Sequence, residues 1–178
     1  MASQQANKKL HGFSKSERLC NFTLKNLLFT QGESFQQYPF KIFWKTIDPN
    51  LEKLFFAKSV TEYSTVEQHA PENAQNPSHP HKIIPRNALF SHPVQCLTGV
   101  SSKAHKSAVM RNHLKRLIRE SYRQNNASFY SFVKDSNKLC LLGIIYTSVQ
   151  PIAYRDIESK IIVSLQKIQQ KITEQLTR

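Results

Sequence analysis

Apolar positions along the chain change period several times, and each change marks an element. Leu24, Leu27, Leu28 and Gln31 fall at the i, i+3, i+4, i+7 spacing of one helical face, with Asn21 as N-cap and Gly32 as a C′ stop. This predicts a helix ending near Gln31, its face flanked by Phe22 and Phe29. Over 35–47 the period falls to two. Phe40, Ile42 and Trp44 alternate with Lys41, Phe43 and Lys45, which predicts a strand that begins at Pro39 or lies at a sheet edge. A second strand is expected over 94–100. The almost wholly apolar run 139–146 reads as a strand buried on both faces. A last helix is expected from about Tyr154 to Leu176, with Ile157, Ile161, Leu165, Ile168 and Ile172 as its stripe.

The segment 102–123 also has helical spacing. Met110, Leu114, Leu117, Ile118 and Ser121 share one face, while Arg111, Asn112, Lys115, Arg116, Arg119 and Arg123 occupy an adjacent arc of roughly 140°. One side of this helix suits burial and another suits a polyanion. Asn125 or Asn126 is expected to end it in the left-handed conformation. Two stretches break the pattern. The tail 1–10 is polar and reads as flexible. From 48 to 93 the composition shifts toward Pro, His, Asn and Ser, and Pro71, Pro77, Pro80, Pro85 and Pro93 exclude a continuous helix. We read this as a surface insertion, with a short element possible over 51–60. The order helix, strands, helix, strand, helix gives one sheet with helices packed on it, a single domain over 1–178.

Charge narrows the partners. Lys and Arg number 25 against 12 Asp and Glu, a formal net charge of +13, which points to nucleic acid or an anionic membrane surface. No apolar run reaches the roughly 20 residues of a membrane helix. The first residues contain no apolar core of a secretory signal. Cys20, Cys96 and Cys140 are odd in number and lack a CxxC spacing. Cys96 and Cys140 lie in apolar strands and are expected as buried thiols, which fits a reduced, cytoplasmic setting.

Catalytic chemistry finds little support. Two-metal phosphodiester hydrolysis needs converging carboxylates, and the Asp residues, Asp48, Asp135 and Asp156, are scattered. His79 and His81 sit in the Pro-rich stretch without a Cys partner, so a solvated loop is the better reading. The basic helix is the strongest signal. Each phosphate it neutralises releases counterions, Arg is the bidentate phosphate binder, and Asn112 adds hydrogen bonds to sugar or phosphate. A solvated charged face is the bland alternative, and the scarcity of acids in this stretch weighs against it.

The run Ala108-Val109-Met110-Arg111-Asn112-His113-Leu114-Lys115-Arg116, followed by Arg119-Glu120 and entered from Ser102-Lys103, resembles the signature of the bacterial ribonuclease P protein subunit. The resemblance extends to Phe13-Ser14-Lys15-Ser16-Glu17-Arg18-Leu19, to Leu28-Phe29-Thr30-Gln31-Gly32 and to the aromatic strand after it. It implies an α/β fold: an α+β two-layer sandwich of a four-stranded mixed sheet and about three helices, with a left-handed βαβ crossover. It also implies an RNA-binding subunit of the ribonucleoprotein that removes the 5′ leader from precursor tRNA, with Mg²⁺-dependent hydrolysis performed by the RNA subunit. A structural, ribosomal-type RNA-binding protein is the alternative.

Carried over, Arg111, Asn112, Lys115, Arg116 and Arg119 would contact the RNA subunit, joined by Lys103, Lys106 and Arg123 of the same stretch. Phe29 and Phe43 match the aromatic positions of the leader cleft. Phe40 is a third candidate that the alternation also allows to point inward, and core packing competes for all three rings. The departures are His113 in place of the second Arg of the signature, Lys25 where some members have an aromatic, and Ala104 and Lys106 where many have Lys and Gly. His113, neutral at pH 7 by default, would weaken one contact and make it pH-sensitive.

Overall fold

The computed structural model describes residues 13–49 and 92–177. The predicted tail, the element over 51–60, His79 and His81 lie outside them. Helix α1 (Phe22–Gln31) is followed by strands β1 (Glu33–Gln37) and β2 (Phe40–Ile47). Strand β3 (Val94–Val100) leads to α2 (Ala108–Asn125) and α3 (Ala127–Asp135), then β4 (Leu139–Tyr146) and α4 (Tyr154–Leu176). The four strands form one mixed sheet in the order β1-β2-β4-β3, with β3 and β4 parallel and the other pairs antiparallel. The architecture is α+β, as expected, with four helices among the described residues rather than about three.

The period-two alternation of β2 sorts the two faces. Phe40, Ile42 and Trp44 point into the main core with Cys96, Cys140, Leu142, Ile144 and Tyr146. Helices α2, α3 and α4 cover that face through Leu114 and Ile118, Phe129 and Val133, and the stripe Ile157, Ile161, Leu165, Ile168 and Ile172. The opposite face is covered only in part. There Leu24, Leu27 and Leu28 of α1 pack with Leu19 on Ile47, Leu139 and Leu141. Strand β4, central and covered on both sides, is therefore apolar almost throughout.

Several local expectations need correction. Of the two readings of Pro39, the strand start holds and the sheet edge does not: β2 begins at Phe40 and lies inside the sheet, and Tyr38 and Pro39 form the hairpin turn, through a cis peptide bond, between edge strand β1 and β2. Gly32 ends α1 as expected, and does so in an extended conformation, φ −78° and ψ 153°. Its requirement is space: a Cβ there would collide with the Leu28 carbonyl oxygen. Asn126 is right-handed and links α2 directly to α3, while Asn137, at φ 49°, takes the left-handed position before β4. The outer edge of β3 is also engaged. Leu19 N–H donates to the Cys96 carbonyl at 3.1 Å, and Cys96 N–H to that of Glu17 at 2.8 Å, so the entry segment protects that edge.

Candidate nucleic-acid interface

Helix α2 carries the basic stretch. Ser107 caps it, its Oγ accepting from Met110 N–H at 3.4 Å. The buried stripe is Leu114, Ile118, Ser121 and Tyr122. Tyr122 takes the place expected for Met110, which is 36% exposed. The stripe is thereby turned about 40° toward the cations. Arg111, Lys115, Arg119 and Arg123 are half-buried at its margin, whereas Asn112, His113 and Arg116 face solvent.

The cations do not all have the same freedom. Arg111 is a brace: its Nη1 donates to the carbonyls of His105 at 2.9 Å and Lys106 at 2.6 Å, fixing the loop that presents Lys103 and Lys106. Arg119 Nε donates to the Lys115 carbonyl at 3.0 Å. Arg123 is neutralised by Glu120, with Nε to Oε2 at 2.9 Å and Nη2 to Oε1 at 2.6 Å. The hydrogen bond from Arg123, then that from Gln124, pulls the Glu120 carboxyl down to about 2. Among the described residues, Lys103, Lys106, Arg111, Lys115, Arg116 and Arg119 have no acidic partner.

The loop is held from its other side by His105, which is buried. Its backbone N–H donates to the Ser101 carbonyl at 3.0 Å. Its Nε2 lies 2.9 Å from the Ser148 carbonyl oxygen, and because a carbonyl only accepts, Nε2 carries the proton. The ring packs beside Tyr146 with centroids 5.8 Å apart. No sequence pattern marks His105, since a lone imidazole in a basic run looks like one more polar residue.

The second surface lies on the partly covered sheet face. Register places Ser34, Phe43, Gly143 and Leu97 in one row across the four strands, and Gln36, Lys41, Ile145 and Gly99 in the next. Helix α1 forms the wall. Leu28 sits close over Gly143, where a Cβ would meet Leu28 Cδ2 at 3.2 Å. Phe29, 45% exposed, meets Phe43 edge-on at 5.0 Å between centroids. Lys41 Nζ stands 5.1 Å from the Phe43 ring centre. The arrangement is a groove with an aromatic corner and a cation beside it, features suited to unpaired bases and their phosphates. The structure thus brings Phe29 and Phe43 together, and adds Lys41. Phe40 is excluded: it is fully buried against Tyr146 on the other face of the sheet, so it has no ring face to offer.

The family model for ribonuclease P matches residues 13–169, from the entry segment well into α4. The chain belongs to the ribonuclease P family. It is accordingly a ribonuclease P subunit, associated with tRNA 5′ processing. No curated protein matches the chain. Both surfaces of this ribonuclease P subunit, the α2 arc and the groove beside α1, fall within the matched residues. Among the described residues no three His, Cys, Asp or Glu side chains gather as metal ligands, and no helix is long and apolar enough to cross a membrane.

Proposed function

We propose that this chain is the RNA-binding protein of a cytoplasmic ribonuclease P holoenzyme, docking on the catalytic RNA through α2 and on the precursor tRNA leader through the groove beside α1. The observation that carries the reading is the acid-free part of the α2 arc, exposed Asn112 and Arg116 with half-buried Lys115 and Arg119 beside them, backed by Lys103 and Lys106. Hydrogen-bond donors and positive charge on one rigid helix suit a folded phosphate backbone. Phe29 and Phe43, with Lys41, suit an unpaired strand whose sequence is not read in detail.

The chemistry is assigned to the RNA subunit, with Mg²⁺ held by RNA and substrate. What this chain's residues do is bind, orient and neutralise charge at the leader junction. The test is reconstitution of the holoenzyme with the RNA subunit at low Mg²⁺. The expected result is faster cleavage of precursor tRNA when the protein is added. RNA binding without any stimulation would favour a structural RNA-binding protein and overturn the proposal.

A further inference from the structure

Phe22 has no packing role that its burial can explain. It is 83% exposed, the most exposed of the large apolar side chains among the described residues. A single exposed Phe is ordinary on a protein surface, but its placement here is specific. Phe22 and Phe29 lie two turns apart on nearly the same line of α1, separated by about 10 Å along the axis. Lys25 lies between them on that side of the helix. The start of α1 is anchored beside β3, through Leu19 N–H and the Cys96 carbonyl. Its end is anchored beside β2, where Gly32 approaches the Trp44 carbonyl and Lys45 Nζ reaches the Gln31 carbonyl at 3.4 Å. The helix therefore spans the groove from β3 to β2, with Phe29 at the β2 end and Phe22 at the β3 end. The floor toward the β3 end is low and apolar: Leu97 and Ile145 are half-exposed, and Gly99 leaves room for Ile145, whose Cδ1 a Cβ there would meet at 2.7 Å.

We infer that Phe22 is a second base-stacking platform, extending the single-strand groove toward β3 so that a leader is gripped at two points with Lys25 facing the intervening phosphates. This rests on the reading of the groove as the leader site. At the stacked spacing of about 3.4 Å per nucleotide, the two platforms engage bases about three nucleotides apart.

The experiment uses the reconstituted holoenzyme with wild type, Phe22→Ala, Phe22→Trp and Phe29→Ala, and precursors whose leaders are lengthened one nucleotide at a time. Phe22→Ala is expected to weaken binding of long-leader precursor about fivefold or more, to leave mature tRNA binding unchanged, and to be rescued in Phe22→Trp. Its loss should set in at a leader length about three nucleotides different from that of Phe29→Ala. A loss in Phe29→Ala with none in Phe22→Ala overturns this inference and spares the groove. No loss in either variant overturns the groove reading itself. An equal loss for mature tRNA, or the same onset length for both variants, also overturns the two-platform arrangement. Thermal unfolding of Phe22→Ala, expected to match wild type, checks that the exposed ring is not structural.

Discussion

At the scale of residues, the basic arc of α2 is less uniform than its charge suggests. Arg123 is held by Glu120, and Arg111 spends one guanidinium nitrogen on two loop carbonyls. The Glu120 carboxyl, at about 2 against an ordinary 4.5, is ionised throughout the neutral range. Because its folded value is depressed, the stability it contributes is complete above about pH 4.5 and is lost only as the pH falls toward 2. Replacing it changes more than stability. Glu120→Gln is expected to release Arg123 to the RNA, tighten binding to the RNA subunit and steepen its logarithmic salt dependence by about one contact. The cost in folding should be small, because solvent screens a pair at the helix surface. Titration of RNA binding over a salt series measures this. An unchanged slope would place Arg123 away from phosphate.

At the scale of elements, what was legible follows burial. Helix α4 and strand β4 stand within the expected limits, because both bury a long, regular apolar set. Strand β1 was not separated from β2: Ser34, Gln36 and Gln37 give no alternation, since an edge strand on a half-open face has little to bury. Helix α3 was hidden because Asn126 joins it to α2 with no break in helical sense and no Gly or Pro. In α2, Tyr122 lies outside the face expected from the helical spacing, yet its ring is buried and meets Phe13 edge-on at 5.7 Å. The basic arc was legible as charge, but which cations are tied was not, since Arg111 is engaged by carbonyls that no sequence pattern marks.

His105 belongs to the same scale. It ties the loop before α2 to the segment after β4, and Ser148 is in turn held by Tyr38, with oxygens 3.0 Å apart. His105→Ala leaves the Ser148 carbonyl without its imidazole partner, and should cost about 1–3 kcal/mol in chemical denaturation. If the latch positions Lys103 and Lys106, affinity for the RNA subunit should also fall while the Phe29-dependent preference for leader-bearing RNA is kept. Loss of stability with undiminished affinity would reduce His105 to a packing residue.

For the whole molecule, the sheet separates the two surfaces. Helix α2 packs on the face carrying Phe40, Ile42 and Trp44, while α1 and its groove lie on the face carrying Phe43 and Gly143. A net charge of +13 attracts any RNA to either side, so charge alone does not assign roles. The sheet keeps the two surfaces apart, and neither shares a side chain with the other. Arg116→Ala combined with Arg119→Ala should therefore weaken assembly with the RNA subunit and flatten its salt slope by about two contacts, without changing the ratio of precursor to mature tRNA affinity in the holoenzyme that does form. Phe29→Ala should do the reverse. Combining all three substitutions should give free-energy losses that add to within about 0.5 kcal/mol, as for sites with no shared partners. A larger deviation would mean that the two faces communicate through the β2–β4 core. In that case leader capture and RNA docking would be one coupled event rather than two independent grips.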